Sequence, residues 1–544
     1  ELLRRFYLKN GYADFQITAS SAELSPDRKG FFLSFTVDEG ARYKVGKVAI
    51  NAQLRNLTSK DLEPSLQLHP GDWYDGDAVG RTADMMEAAV HNRGYAFVQV
   101  KPRFTRDPVK HTVDLTFDVG EGPRVYVERI DIVGNTRTED KVIRREFQLA
   151  EGDPYSEQAV RQTKTRLTDL GYFQNVDIAT NPGSASDKAV LTTNINEKAT
   201  GELSFGGGYS TDAGALINVG LTEKNLVGTG IDAGINGTLA QRRSSIDASI
   251  TDPYFLDRNL VAGTDIFLIQ TEFLGTEPYD ERREGFDARL GYAFNSHLRQ
   301  TWSYSLVDRD VYNVETGASP FIFNEAGTTL LSQISQTLTL DYRDSKLQPS
   351  SGFILEGGTD VAGLGGNARF LRGTLNGAYY IPLAGPDWDL KLAGSFGYMD
   401  LLPGGREEII DRFFLGGDNL RGFETGGAGP HDLTTDDPLG GRMIWTQTTE
   451  MRFPLPVSPD LGLNGRAFVD VGGLTEASFR PGACVVSPGV SCTIEQSAAP
   501  RVGAGVGISW RTAFGLINVD LTPFVIKQPG DQTQIFRFGF GTRF

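Results

Sequence analysis

The stretch Leu415-Gly416-Gly417-Asp418-Asn419-Leu420-Arg421-Gly422-Phe423 holds one guanidinium between small residues and an aromatic ring. Downstream, Glu450 lies in the alternating run 445–453 and shares parity with Thr446, Thr448 and Arg452. Asp470 lies in the run 463–471 and shares parity with Asn464 and Arg466. Period two places each carboxylate on the polar face of its strand. Two carboxylates on adjacent strands that face one space need a cation, and arginine offers them a planar fork. The spacing therefore predicts that the loop 401–441 folds inward and that Arg421 satisfies both Glu450 and Asp470. The rival reading is an arginine that caps a surface turn.

Other chemistry finds little support. The five histidines, His69, His91, His111, His297 and His431, form no ligand pair at helical spacing, so no metal or cofactor is expected. No nucleophile elbow and no Walker loop occurs, which argues against an enzyme. Gly503-x-Gly505-x-Gly507 sits inside a period-two run with no helix after it, so packing clearance is expected there instead of dinucleotide binding. Cys484 and Cys492, the only cysteines, flank Pro488-Gly489. In an oxidising compartment they are expected to close a local hairpin as a disulfide.

The elements that must position these residues differ on either side of residue 200. With 544 residues the chain is too long for one core. The net charge of −16 argues against nucleic acid as a partner. No apolar run is long enough for a membrane helix, yet a mean hydropathy of −0.26 is compatible with a barrel, whose strands alternate lipid-facing and lumen-facing residues.

Before residue 200 an internal repeat is visible. Gly11-Tyr12, Gly94-Tyr95 and Gly171-Tyr172 each end a helical stretch, and an aromatic (Phe15, Phe97, Phe173) follows. Each unit closes on an alternating strand and an acidic residue: Glu39, Glu121, Glu197. The order strand, helix, helix, strand, strand recurs with a period of about eighty residues. This divides the region into a partial repeat over 1–42 and repeats over 43–122 and 123–199. The first unit lacks its opening strand and helix, which reads as truncation.

From 200 to 544 the pattern is about sixteen alternating segments of bilayer-crossing length, an even number that closes an antiparallel barrel. Connections alternate short (256–259, 513–515) and long (312–332, 401–441, 474–500). Closure pairs the first strand, 201–210, with the last, 534–544. The first contains Gly206-Gly207-Gly208 and the last contains Gly539 and Gly541, and glycine weakens a strand. Lumenal clearance is the plainer explanation of those glycines.

The repeats resemble POTRA domains, and Leu420-Arg421-Gly422-Phe423 resembles the (V/I)RG(F/Y) signature of the POTRA-plus-barrel superfamily. Glu450 in Thr449-Glu450-Met451-Arg452-Phe453 and Asp470 in Phe468-Val469-Asp470-Val471-Gly472 match that family's acidic partners. Gly228-Thr229-Gly230 and Asp252-Pro253-Tyr254-Phe255 resemble its assembly branch. Leu420 departs from the signature, and the cysteine pair lies in a later loop than the family's usual one.

The resemblance implies α+β periplasmic repeats followed by a transmembrane barrel in a bacterial outer membrane. It implies a weak seam between first and last strands that templates client strands. The implied partners are the lipid bilayer, unfolded β-barrel clients and accessory periplasmic lipoproteins. Phe536, Phe538, Phe540 and Phe544 resemble the aromatic ending of outer-membrane clients. A two-partner-type secretion channel and an autotransporter assembly factor share these motifs.

Overall fold

A computed structural model describes the chain except residues 1, 25–30, 53, 55–56, 92–94, 96, 122–124, 212–213, 273–277, 347–348, 384–387, 459–460, 476–481, 488–489, 513–514 and 542–544. Two compact units result, Glu1–Ala199 and Thr200–Phe544. No helix among the described residues is long and apolar enough to cross a membrane, which leaves open crossing by strands.

In the first unit the helix Leu2–Lys9 precedes the hairpin Gln16–Leu24 and Phe31–Asp38. Two three-stranded sheets follow. In each, the opening strand (Lys44–Ala52, Tyr126–Val133) pairs in parallel with the last (Thr112–Glu121, Lys188–Glu197). The middle strand (Val98–Asp107, Phe173–Pro182) pairs antiparallel with that last strand. A parallel pair needs a crossover, and the helices supply it.

The amphipathic helix Gly76–His91 buries Met86 and Val90 against Phe117 and Val119. The helix Glu157–Asp169 is capped by Ser156, whose hydroxyl accepts from the Ala159 amide at 3.3 Å, and it buries Leu167. Gly11 and Gly171 both take positive φ (+97° and +74°), as a left-handed residue after a helix requires. One element departs from the expected order. In the repeat beginning at Lys44 the first helix is replaced by two short turns, Ser59–Asp61 and Glu63–Ser65. Pro64 lies within the second turn, and it has no N–H to extend a continuous helix from the first.

The glutamate that closes the last repeat does structural work. Glu197 accepts hydrogen bonds from the backbone N–H groups of Thr136 (3.0 Å), Arg137 (2.9 Å) and Thr138 (2.7 Å), and from the Thr136 hydroxyl (2.9 Å). Burial alone would raise its pKa; the donors from Thr138, Thr136 and Arg137 outweigh burial and bring it down to about 2. A depressed folded pKa means that the stabilisation is full above the unfolded carboxylate value and fades as pH falls toward 2. Glu197→Gln is expected to cost about 1 kcal/mol at pH 7. Faster amide exchange at 136–138 would report the loss, and the gap from the parent should narrow below pH 4.

The second unit is a closed barrel of sixteen antiparallel strands, running from Gly201–Ser210 to Phe536–Gly541. Alternation puts Leu203, Phe205, Ile217, Ile235 and Val506 on the outer face, all exposed. The connection expected over 312–332 is shorter in the structure. Strands Leu298–Tyr312 and Gly327–Asp341 stay paired up to Val311 and Gly327, so only 313–326 is loop. The end Gly327-Thr328-Thr329-Leu330-Leu331 carries no regular apolar–polar alternation, which hides a strand from a hydrophobic pattern while the backbone ladder continues. Similarly, the strand Leu463–Thr475 runs beyond the expected 471.

Candidate functional site: the inward loop and the closing strand

Residues 402–442 leave the wall after strand Asp389–Leu401 and return at strand Met443–Pro454. Leu415, Leu420, Phe423 and Ala428 of this loop pack with Ile444 and Leu474 of the wall, each almost or wholly buried. A loop that buries four apolar side chains against strand residues is a folded insert.

The structure brings Arg421, Glu450 and Asp470 together. Arg421 Nε and Nη2 meet Asp470 Oδ2 and Oδ1 at 2.7 and 2.9 Å, a two-pronged pairing. Nη1 meets Glu450 Oε2 at 2.6 Å, and the Arg421 backbone N–H donates to Asp470 Oδ2 at 3.2 Å. The ring of Phe468 lies 3.5 Å under the guanidinium carbon. Cation–π contact and two carboxylates thus replace water around a cation that is only 9% exposed.

Two further groups complete the cluster, and sequence reasoning named neither as a site residue. Arg466 pairs with Asp520 at 2.9 Å and lies 4.0 Å from Glu450. Gly503 passes so close that a Cβ there would stand 1.9 Å from the Arg421 carbonyl oxygen. The regular glycines 503, 505 and 507 were the available signal. A Cβ at Gly505 would meet the Leu521 carbonyl at 2.1 Å, and one at Gly507 would meet the Asp520 carboxylate at 2.1 Å.

Gly422 and Phe423 pair antiparallel with Gln534 and Thr533. This corrects the expected last strand, which had begun at 534. The barrel strand proper starts at Phe536, because Thr533-Gln534 turn their backbone to the loop. Phe536–Gly541 makes six residue pairs with strand Gly515–Ile526. With the first strand it makes two among the described residues, Gly539 with Ser210 and Phe540 with Tyr209. The Phe538 ring lies 6.2 Å from that of Tyr209. Gly206, Gly207 and Gly208 pair only with the second strand, at Asn218, Ile217 and Leu216, among the described residues. Phe544 lies outside the described residues.

Cys484 and Cys492 face each other across the hairpin Gly482–Ser487 and Val490–Glu495. Cys492 is disulfide-bonded; the side chain of Cys484 lies outside the described residues. This hairpin extends a small sheet through His431–Asp432 and Asp437–Pro438, so it is joined to the inward loop.

Residues 225–544 match the Omp85 superfamily domain, more than half of the chain. The chain belongs to the Omp85 superfamily, in its BamA branch. Residues 43–122 and 125–198 each match the POTRA repeat, described as a surface antigen variable number repeat. The chain is 30% identical over its whole length to the outer membrane protein assembly factor BamA of Neorickettsia risticii, covering 72% of that protein. It is 25% identical to the BamA of Neisseria meningitidis, again over the whole chain and 72% of the relative. The crystal structure of BamA from Haemophilus ducreyi lacking POTRA domains 1–3 shares the fold. Its TM-score is 0.68 at 21% identity, over 92% of this chain and all of that one. The barrel is accordingly an outer-membrane barrel, and its N-terminal repeats lie in the periplasm.

Proposed function

We propose that the chain assembles β-barrel proteins in the outer membrane, and that the junction of its first and last strands is where a client strand is templated. The relatives named assembly factors support the first part. One observation supports the second. Among the described residues the first strand makes ten residue pairs with the second but two with the last. Each unpaired backbone group in hydrocarbon costs several kcal/mol, so the junction with the shorter described ladder is the one a client strand would most readily take over. Leu203 and Phe205, exposed on this strand, offer the outward side chains that a lipid-facing client strand would pack beside.

The glycines at 206–208 lower the packing that a partner strand must displace. Arg421 with Glu450 and Asp470 would keep the loop inside while the wall is closed. The periplasmic repeats, with strands Lys44–Ala52 and Val98–Asp107 at the sheet edges, are surfaces for unfolded clients and accessory lipoproteins.

Tyr209 and Phe540 stand directly opposite, so Tyr209→Cys with Phe540→Cys places two thiols across the junction. Oxidation of that pair in proteoliposomes is expected to abolish insertion of a barrel client, and reduction to restore it. Full insertion with the junction locked would sink the templating reading. Export of a single soluble protein through the locked barrel would move the assignment to a secretion channel.

A further inference from the structure

Asp531 lies in the connection between strand Gly515–Ile526 and the closing strand Phe536–Gly541. Its carboxylate accepts from the Gly429 N–H of the inward loop at 3.2 Å and from the Gln528 N–H of its own turn at 2.7 Å. It also pairs with Arg501 Nε at 3.0 Å, and neither side chain has exposed area. Arg501 opens the strand Arg501–Thr512 and donates to the Ser497 carbonyl at 2.9 Å. One buried ion pair thus joins the loop, a wall strand and the turn that leads into the closing strand.

The loop then runs beside that turn. The Gln532 N–H donates to the Gly427 carbonyl at 2.7 Å, and the Glu424 N–H to the Gln532 carbonyl at 3.2 Å. The two pairs between 422–423 and 533–534 continue this contact. Asp418 reaches the closing strand itself, 2.9 Å from Arg537. Asp418 is almost fully exposed, so that pair adds little. The Asp531 set differs, because breaking it strands a buried guanidinium.

We infer that the inward loop is a clasp on the closing strand, with Asp531 and Arg501 as positioning residues that tie loop position to the seam. This rests on the seam reading above. The clasp holds Phe536–Gly541 where it meets the first strand, and the seam loosens when the loop lets go.

The test uses the full chain in outer-membrane vesicles, with Tyr209→Cys and Phe540→Cys as a cross-seam reporter. Asn518→Cys with Gly539→Cys, paired on the other side of the closing strand, is the control. Asp531→Asn turns an amide toward Arg501 and should lower cross-seam disulfide yield about tenfold, the effect of one charged hydrogen bond on an opening equilibrium. The control pair should hold its yield, and the loop 401–441 should become open to added protease. Asp531→Glu should restore much of the yield.

An unchanged cross-seam yield beside a protease-sensitive loop overturns the clasp, as does a variant that moves neither readout. Should Asp531→Asn fail to fold, Arg501→Lys keeps the charge and loses the fork. A smaller fall is expected there, and no fall overturns the proposal. Clients that insert past an oxidised seam would sink templating alone, because the clasp is read from conformation.

Discussion

Arg421→Ala should release the inward loop at a cost of roughly 3–5 kcal/mol, the usual penalty for removing one member of a buried ion pair. The substitution removes three donor nitrogens, Nε, Nη1 and Nη2, at one stroke. Asp470 loses its two-pronged partner, Glu450 loses its shortest contact, and Phe468 loses the cation above its ring. Asp470 is 1% exposed, so water does not replace what is lost. Cleavage of 401–441 by external protease, expected in the variant and not in the parent, is the measurement. Arg421→Lys is the informative companion. One ammonium reaches Asp470 or Glu450 but does not fork to both, so partial release is expected. Adding Asp470→Asn to Arg421→Ala should recover part of the loss, because the uncompensated charge is then gone. A loop that stays protease-resistant in Arg421→Ala would show that its apolar contacts at Leu415, Leu420 and Phe423 suffice.

Much of this arrangement was legible because strand parity is a strict rule. Glu450 and Asp470 fall on the lumenal face by counting alone, and a cation between them follows from charge. The sixteen-strand barrel was legible for the same reason, since alternation survives wherever one face meets lipid. It failed where the side chains break that alternation. Gly327–Leu331 and 472–475 are strand in the structure, but their side chains carry no apolar–polar alternation to read. The loop's partnership with Thr533-Gln534 was hidden too, because a two-residue backbone pairing between segments about 110 residues apart leaves no side-chain signature. Arg501 and Asp531 were hidden differently. Each looks like an ordinary loop-edge charge until the fold removes both from water. The glycines at 503, 505 and 507 were visible as a pattern, and their cause needed coordinates.

Gly503→Ala tests that cause and carries the second large effect. A Cβ at 503 would lie 1.9 Å from the Arg421 carbonyl oxygen, far inside any real contact, and the obstacle is backbone. No rotamer relieves it. Either the wall strand Arg501–Thr512 bends or the loop withdraws, and the strand is held by ladders on both sides. The loop should therefore move, which pulls Arg421 away from Asp470. Overpacking alone costs roughly 1–3 kcal/mol, and the broken ion pair adds to it. Because both substitutions act on one contact, Gly503→Ala and Arg421→Ala should be strongly non-additive, with the double variant little worse than the harsher single. Gly539→Ala is the matched control, since a Cβ there meets nothing within 4 Å. Additive losses for Gly503→Ala and Arg421→Ala, measured by protease release of the loop, would mean that Gly503 serves the strand and not the arginine. A non-additive result would make the glycine part of the signature's seat, placed about eighty residues after the arginine it accommodates and with no charge to announce it.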